Sequence, residues 1–100
     1  MFLQNKYTFA YYNIIDRAKS RKTNTYTERH HIIPKSLGGD NTKSNMVRLT
    51  AREHYICHKL LTKITQGRNR YLMIHALWRM SNTNTHGQRH QITGTEYQKN

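Results

Sequence analysis

The chain has one cysteine, one proline, five acidic residues against 17 Lys and Arg, and no long apolar run. A lone Cys57 excludes an internal disulfide, and its place between Ile56 and His58 in a helix-like stretch reads as a small buried residue. No segment approaches the roughly 20 apolar residues that span a bilayer. The start MFLQNKYTFAYYN also lacks the charged-then-apolar order of a secretory leader. The expected setting is therefore the cytoplasm, with no membrane partner. The scarcity of acids leaves a formal net charge of +12 and a pI of about 10.3, which favours a polyanionic partner. Nucleic acid fits best, because each phosphate neutralised by Lys or Arg releases condensed counterions. A chain of 100 residues is expected to form a single domain, 1–100, with a modest core that a bound metal could supplement.

Periodicity lays out the elements. Tyr7, Ala10, Tyr11, Ile14, Ile15 and Ala18 recur at three-and-four spacing and predict a first helix over 7–18, its tyrosines spaced like core residues. The following KSRKTNT puts Lys19, Arg21 and Lys22 where they suit either the negative end of a helix dipole or a phosphate backbone. Residues 26–33 read as extended, Pro34 ends regular pairing, and LGGDNTKSN forms a connection to a returning strand over 46–50. Thr50 and Glu53 make a T-x-x-E capping box, so a second helix is expected from Ala51 toward Thr65, with Gly67 ending it. Tyr71, Ile74, Leu77 and Trp78 predict a third helix over 70–80, with these residues as its core face. Residues 81–100 are polar and aperiodic, a tail in which ITGTEYQKN could form one last turn. The class is α+β.

Seven histidines stand out against this background. His54 and His58 lie four apart on the second helix, so their imidazoles stack on one face at the separation that two ligands of one ion require. His30 and His31 are adjacent in ERHHIIP, and a regular strand sends neighbours to opposite faces. One of the pair is therefore expected to bind an ion and the other to act. His75 is expected to be partly packed, and His86 and His90 to be exposed.

The blocks ERHHIIP, GGDN, SNMVRLT and REHYICH, in this order and spacing over residues 26–60, resemble the HNH nuclease family with its ββα-metal fold. The resemblance implies a hairpin-plus-helix core, here flanked by the first and third helices, and a metal-dependent DNA endonuclease. It implies that His30, His54 and His58 are metal ligands, His31 the general base, and Asn45 the residue whose carboxamide bridges the loop and fixes where His31 points. Glu28, two residues before His30 and on its strand face, could accept a ring N–H from a ligand histidine. Free-standing members are common in phage and other mobile genomes, so the resemblance also implies a homing-type role in a bacterial host cell.

Three imidazoles favour zinc, nickel or another transition ion, whereas many relatives use magnesium or manganese, so all four ions are candidates. Arg29, Lys35, Arg48, Arg52 and Lys59 are the basic residues near the site that could hold the DNA backbone. One metal site per chain suggests a nick as the elementary event, performed by a monomer or a homodimer. The alternative is a non-catalytic, zinc-stabilised nucleic-acid-binding module. His31 discriminates between the two, because a closed structural site would use it as fourth ligand and a nuclease needs it off the metal.

Overall fold

A computed structural model describes residues 1–82; the expectations for His86, His90 and a last turn in ITGTEYQKN lie outside the described residues. The elements in chain order are helix α1 (Lys6–Ser20), strand β1 (Glu28–His31), strand β2 (Met46–Leu49), helix α2 (Ala51–Lys63) and helix α3 (Gly67–Asn82). Two short 3-10 turns, Lys35–Leu37 and Lys43–Asn45, lie between the strands. This is the expected α+β class, with an antiparallel hairpin followed by a helix at its centre.

Each helix start has a sequence cause. Asn5 caps α1 by accepting from the backbone N–H groups of Tyr7 and Thr8, and Thr8 completes a capping box. Thr50 accepts from Glu53 N–H while the Glu53 carboxylate accepts from Thr50 N–H, which is the box foreseen for α2. Arg21 then clamps α1 to α2, its guanidinium donating twice to Glu53 at 2.6 and 2.5 Å. That pairing lowers the Glu53 carboxyl from its ordinary value and gives Arg21 a structural task.

The core lies between α1, the hairpin and α2. Tyr11, Ile15, Leu49, Cys57, Leu61 and Ile64 are all buried there. Burial of each large side chain contributes about 1.5–3 kcal/mol. Cys57 behaves as expected, and burial pushes its thiol up to about 12.

Helix α3 departs from expectation. It begins at Gly67, whose φ of 61° is the left-handed turn that separates α2 from α3, so the glycine opens the third helix and α2 ends earlier, at Lys63. Its buried residues are Met73 and Met80, while Tyr71, Ile74 and Trp78 are 59, 45 and 60% exposed. The apolar residues wrap more of this helix than its packing against α2 can cover, and the two methionines win the contact. His75 is exposed and lies against the Tyr71 ring at 5.0 Å.

Candidate active site

The hairpin register pairs Glu28 with Leu49, Arg29 with Arg48, His30 with Val47 and His31 with Met46. Strand alternation buries Glu28 and His30 and turns Arg29 and His31 outward. On α2, the four-residue spacing stacks His54 and His58, and the helix packs so that both meet His30. Ring centroids are separated by 5.1 Å (His30 to His54), 5.3 Å (His30 to His58) and 5.0 Å (His54 to His58). One ring nitrogen from each of the three lies within 4.8 Å of the others. This is a donor set that fits one divalent ion of borderline softness.

The surroundings prepare these rings as ligands. Burial, reinforced by the neighbouring His58 and His54, lowers the His30 imidazolium to about 2, so the ring stays neutral and keeps a lone pair. His54 donates its Nδ1–H to Glu28 Oε1 at 2.7 Å, which leaves Nε2 for an ion. The other Glu28 oxygen accepts from the Tyr26 hydroxyl at 2.7 Å. A buried carboxylate held from both sides thus orients the His54 ring.

His31 is not in the trio but lines the same cavity of about 350 Å³, together with Arg29, His30, Lys35, His54 and His58. Its Nε2 lies 2.8 Å from Asn41 Oδ1. With the carboxamide oxygen as acceptor, the imidazole carries its proton on Nε2 and offers Nδ1 as the basic nitrogen. Asn45 does bridge the loop. Its Oδ1 accepts from Ile33 N–H at 2.8 Å, and its Nδ2 donates to the carbonyls of Ile33 (3.0 Å) and Asp40 (2.8 Å). It therefore reaches His31 through the loop backbone, and the direct contact belongs to Asn41. Gly39 admits this closure because a Cβ there would stand 1.6 Å from the Ile33 carbonyl oxygen.

Residues 17–63, the segment that carries all of these groups except the α3 wall of the cavity, match the family model described as HNH endonuclease. This segment is similar to HNH domains. Several phage T4 proteins are similar to the chain. Probable mobile endonuclease D is 42% identical over 99 residues, covering 92% of this chain and 38% of the relative. Probable mobile endonuclease E is 49% identical over 59 residues, covering 58% and 42%. Probable mobile endonuclease C is 38% identical over 95 residues, covering 91% and 41%. The chain thus spans about two fifths of the length of these curated relatives. No solved structure matches it.

HNH nucleases use a divalent metal, and among the described residues the trio His30, His54 and His58 could bind one. The basic residues divide. Arg29 and Lys35 line the cavity, and Arg79 joins them from α3, beyond the matched segment. Arg48 is exposed, donates to the Thr27 hydroxyl and carbonyl, and does not line the histidine cavity. Lys59 sits over the Tyr55 ring at 5.7 Å and lines a separate apolar recess with Tyr7, Ile56 and Leu60. Arg52 is exposed on the first turn of α2 and does not line the histidine cavity. Asn41 and Arg79 were not singled out by sequence. The GGDN block contained a signal for the former, since a polar residue so close to a bridged loop can reach back to the strand.

Proposed function

We propose that this chain is a metal-dependent DNA endonuclease that nicks double-stranded DNA, with residues 26–60 as its catalytic core. The observation that carries the reading is that two buried imidazoles, His30 and His54, and the half-buried His58 converge while a fourth, His31, stands in the same cavity with its Nε2 engaged by Asn41. His31 Nδ1 takes a proton from the attacking water as the water oxygen forms its bond to phosphorus. The bond from phosphorus to the 3′-oxygen breaks, and that oxygen leaves with the electron pair and takes a proton from solvent. A divalent ion held by His30, His54 and His58 supplies charge stabilisation for the phosphate and the departing oxygen. Arg29 and Lys35 hold the flanking phosphates, and Asn45 keeps the loop that aims His31. Arg48, Arg52 and Lys59, away from this cavity, contribute to backbone binding at most through the general positive field.

The all-imidazole donor set favours zinc or nickel over magnesium, with manganese between them. One such centre per chain makes a single-strand cut the elementary event, so a double-strand break needs a dimer or two visits. The names of the T4 relatives support a mobile, homing-type role in the cytoplasm of a bacterial host. A zinc-stabilised binding module is the weaker reading, because the cluster among the described residues is three histidines and does not recruit His31 as a fourth.

The test is a supercoiled-plasmid assay on metal-stripped protein with magnesium, manganese, nickel or zinc added singly. Ion-dependent conversion to nicked circles is the expected result. Bound but uncut DNA under every ion would favour the non-catalytic module.

A further inference from the structure

Tyr11 belongs to α1, ahead of the matched segment 17–63, and its side chain is fully buried. Its hydroxyl oxygen lies 2.7 Å from the Ile32 carbonyl oxygen and 2.7 Å from His30 Nε2. A phenol has one proton to give. The carbonyl can only accept, so that proton goes to Ile32, and the hydroxyl presents a lone pair to His30. A 2.7 Å buried contact between two lone pairs would be repulsive, so the proton between Tyr11 and His30 must come from the imidazole. His30 consequently bears hydrogen on Nε2 and a lone pair on Nδ1. His54 is held the opposite way, with Nδ1–H on Glu28 and the lone pair on Nε2.

We propose that Tyr11 is a positioning residue that locks His30 in the Nε2–H tautomer, so that the histidine centre takes its ion through Nδ1 of His30 and Nε2 of His54. The inference rests on the reading that the three imidazoles hold a divalent ion, and it makes α1 part of the metal centre. The hydroxyl acts through the ring it touches, in the way that carboxylates and carbonyls orient ligand histidines elsewhere.

Long-range proton–nitrogen correlation spectra of the ¹⁵N-labelled chain read the tautomer directly. Metal-free wild type is expected to show His30 with a protonated Nε2 and a bare Nδ1. Added Zn(II) is expected to shift the Nδ1 resonance and leave Nε2–H in place. Tyr11→Phe should release the tautomer and raise the Zn(II) dissociation constant about 10–100-fold. Tyr12→Phe is the control, since that ring packs against Phe2 and Tyr11 and should leave the affinity unchanged. His30 protonated on Nδ1 in metal-free wild type, or Zn(II) on its Nε2, would overturn the inference. So would a folded Tyr11→Phe protein with unaltered tautomer and affinity. Wild type that takes up no Zn(II) would instead overturn the ion-holding reading beneath it, a distinguishable failure. Should Tyr11→Phe not fold, the wild-type spectra decide alone.

Discussion

Replacing Asn45 by alanine removes three hydrogen bonds at once, to Ile33 N–H, the Ile33 carbonyl and the Asp40 carbonyl. Each such bond contributes about 0.5–1.5 kcal/mol net, and the one to Asp40 is exposed, so the loss should total about 2–3 kcal/mol. In a domain of this size that is a fall of about 10–20 °C in melting temperature. The loop between the strands also loses its tie at Asp40, next to Asn41, so His31 loses the fixed partner that sets its tautomer. The metal ligands sit on β1 and α2, outside this loop, and should be spared. Thermal melts followed by circular dichroism, Zn(II) titration and single-turnover plasmid nicking test each part separately. Expected are a lower melting temperature, a reduced cleavage rate and near wild-type Zn(II) affinity. Asn45→Asp should be no better, because it turns an acceptor toward two carbonyl oxygens. A melting temperature within about 2 °C of wild type together with an unchanged rate would refute the reasoning.

Two further outcomes follow from named contacts. Glu28→Gln removes the charge that holds His54 Nδ1–H and should weaken Zn(II) binding by about 10-fold or more, read by calorimetry; unchanged affinity would remove Glu28 from the centre. Arg21→Ala should cost about 0.5–1 kcal/mol near neutral pH, since the pair with Glu53 is partly exposed. Arg21 lowers the Glu53 carboxyl below 4.5, so on acidification the unfolded chain takes up the proton first. The stabilisation is therefore complete above about 4.5 and lost as pH falls through the lower folded value. The gap in melting temperature between wild type and Arg21→Ala should close over that range, and a constant gap would count against the pair.

What the sequence disclosed was local. The Thr50 and Glu53 capping box, the four-residue spacing of His54 and His58, and the shared strand face of Glu28 and His30 depend on helix and strand geometry alone, and all three hold. The residues that escaped notice act across long sequence distances. Tyr11 reads as an ordinary core position until the packing of α1 carries its hydroxyl to His30, 19 residues on. The partner of Arg21, a residue that suits a helix end or a phosphate backbone by its position, is likewise hidden until α2 brings Glu53 within reach, 32 residues on. On α3, periodicity identified an apolar helix but not which of its faces would be covered, and Met73 and Met80 took the place of Tyr71, Ile74 and Trp78. Asn41 reaches His31 through the bridged loop, and Arg79 reaches the cavity because α3 packs beside it.

The central claim is a division of labour, with three imidazoles holding the ion and His31 moving the proton. Plasmid nicking by wild type and His31→Ala, with ion affinity measured on the same preparations, tests it most directly. His31→Ala is expected to lose about 10²–10⁴-fold in cleavage rate while binding ion and DNA as wild type does. A variant that cleaves near the wild-type rate, or that fails to bind the ion, would contradict the account.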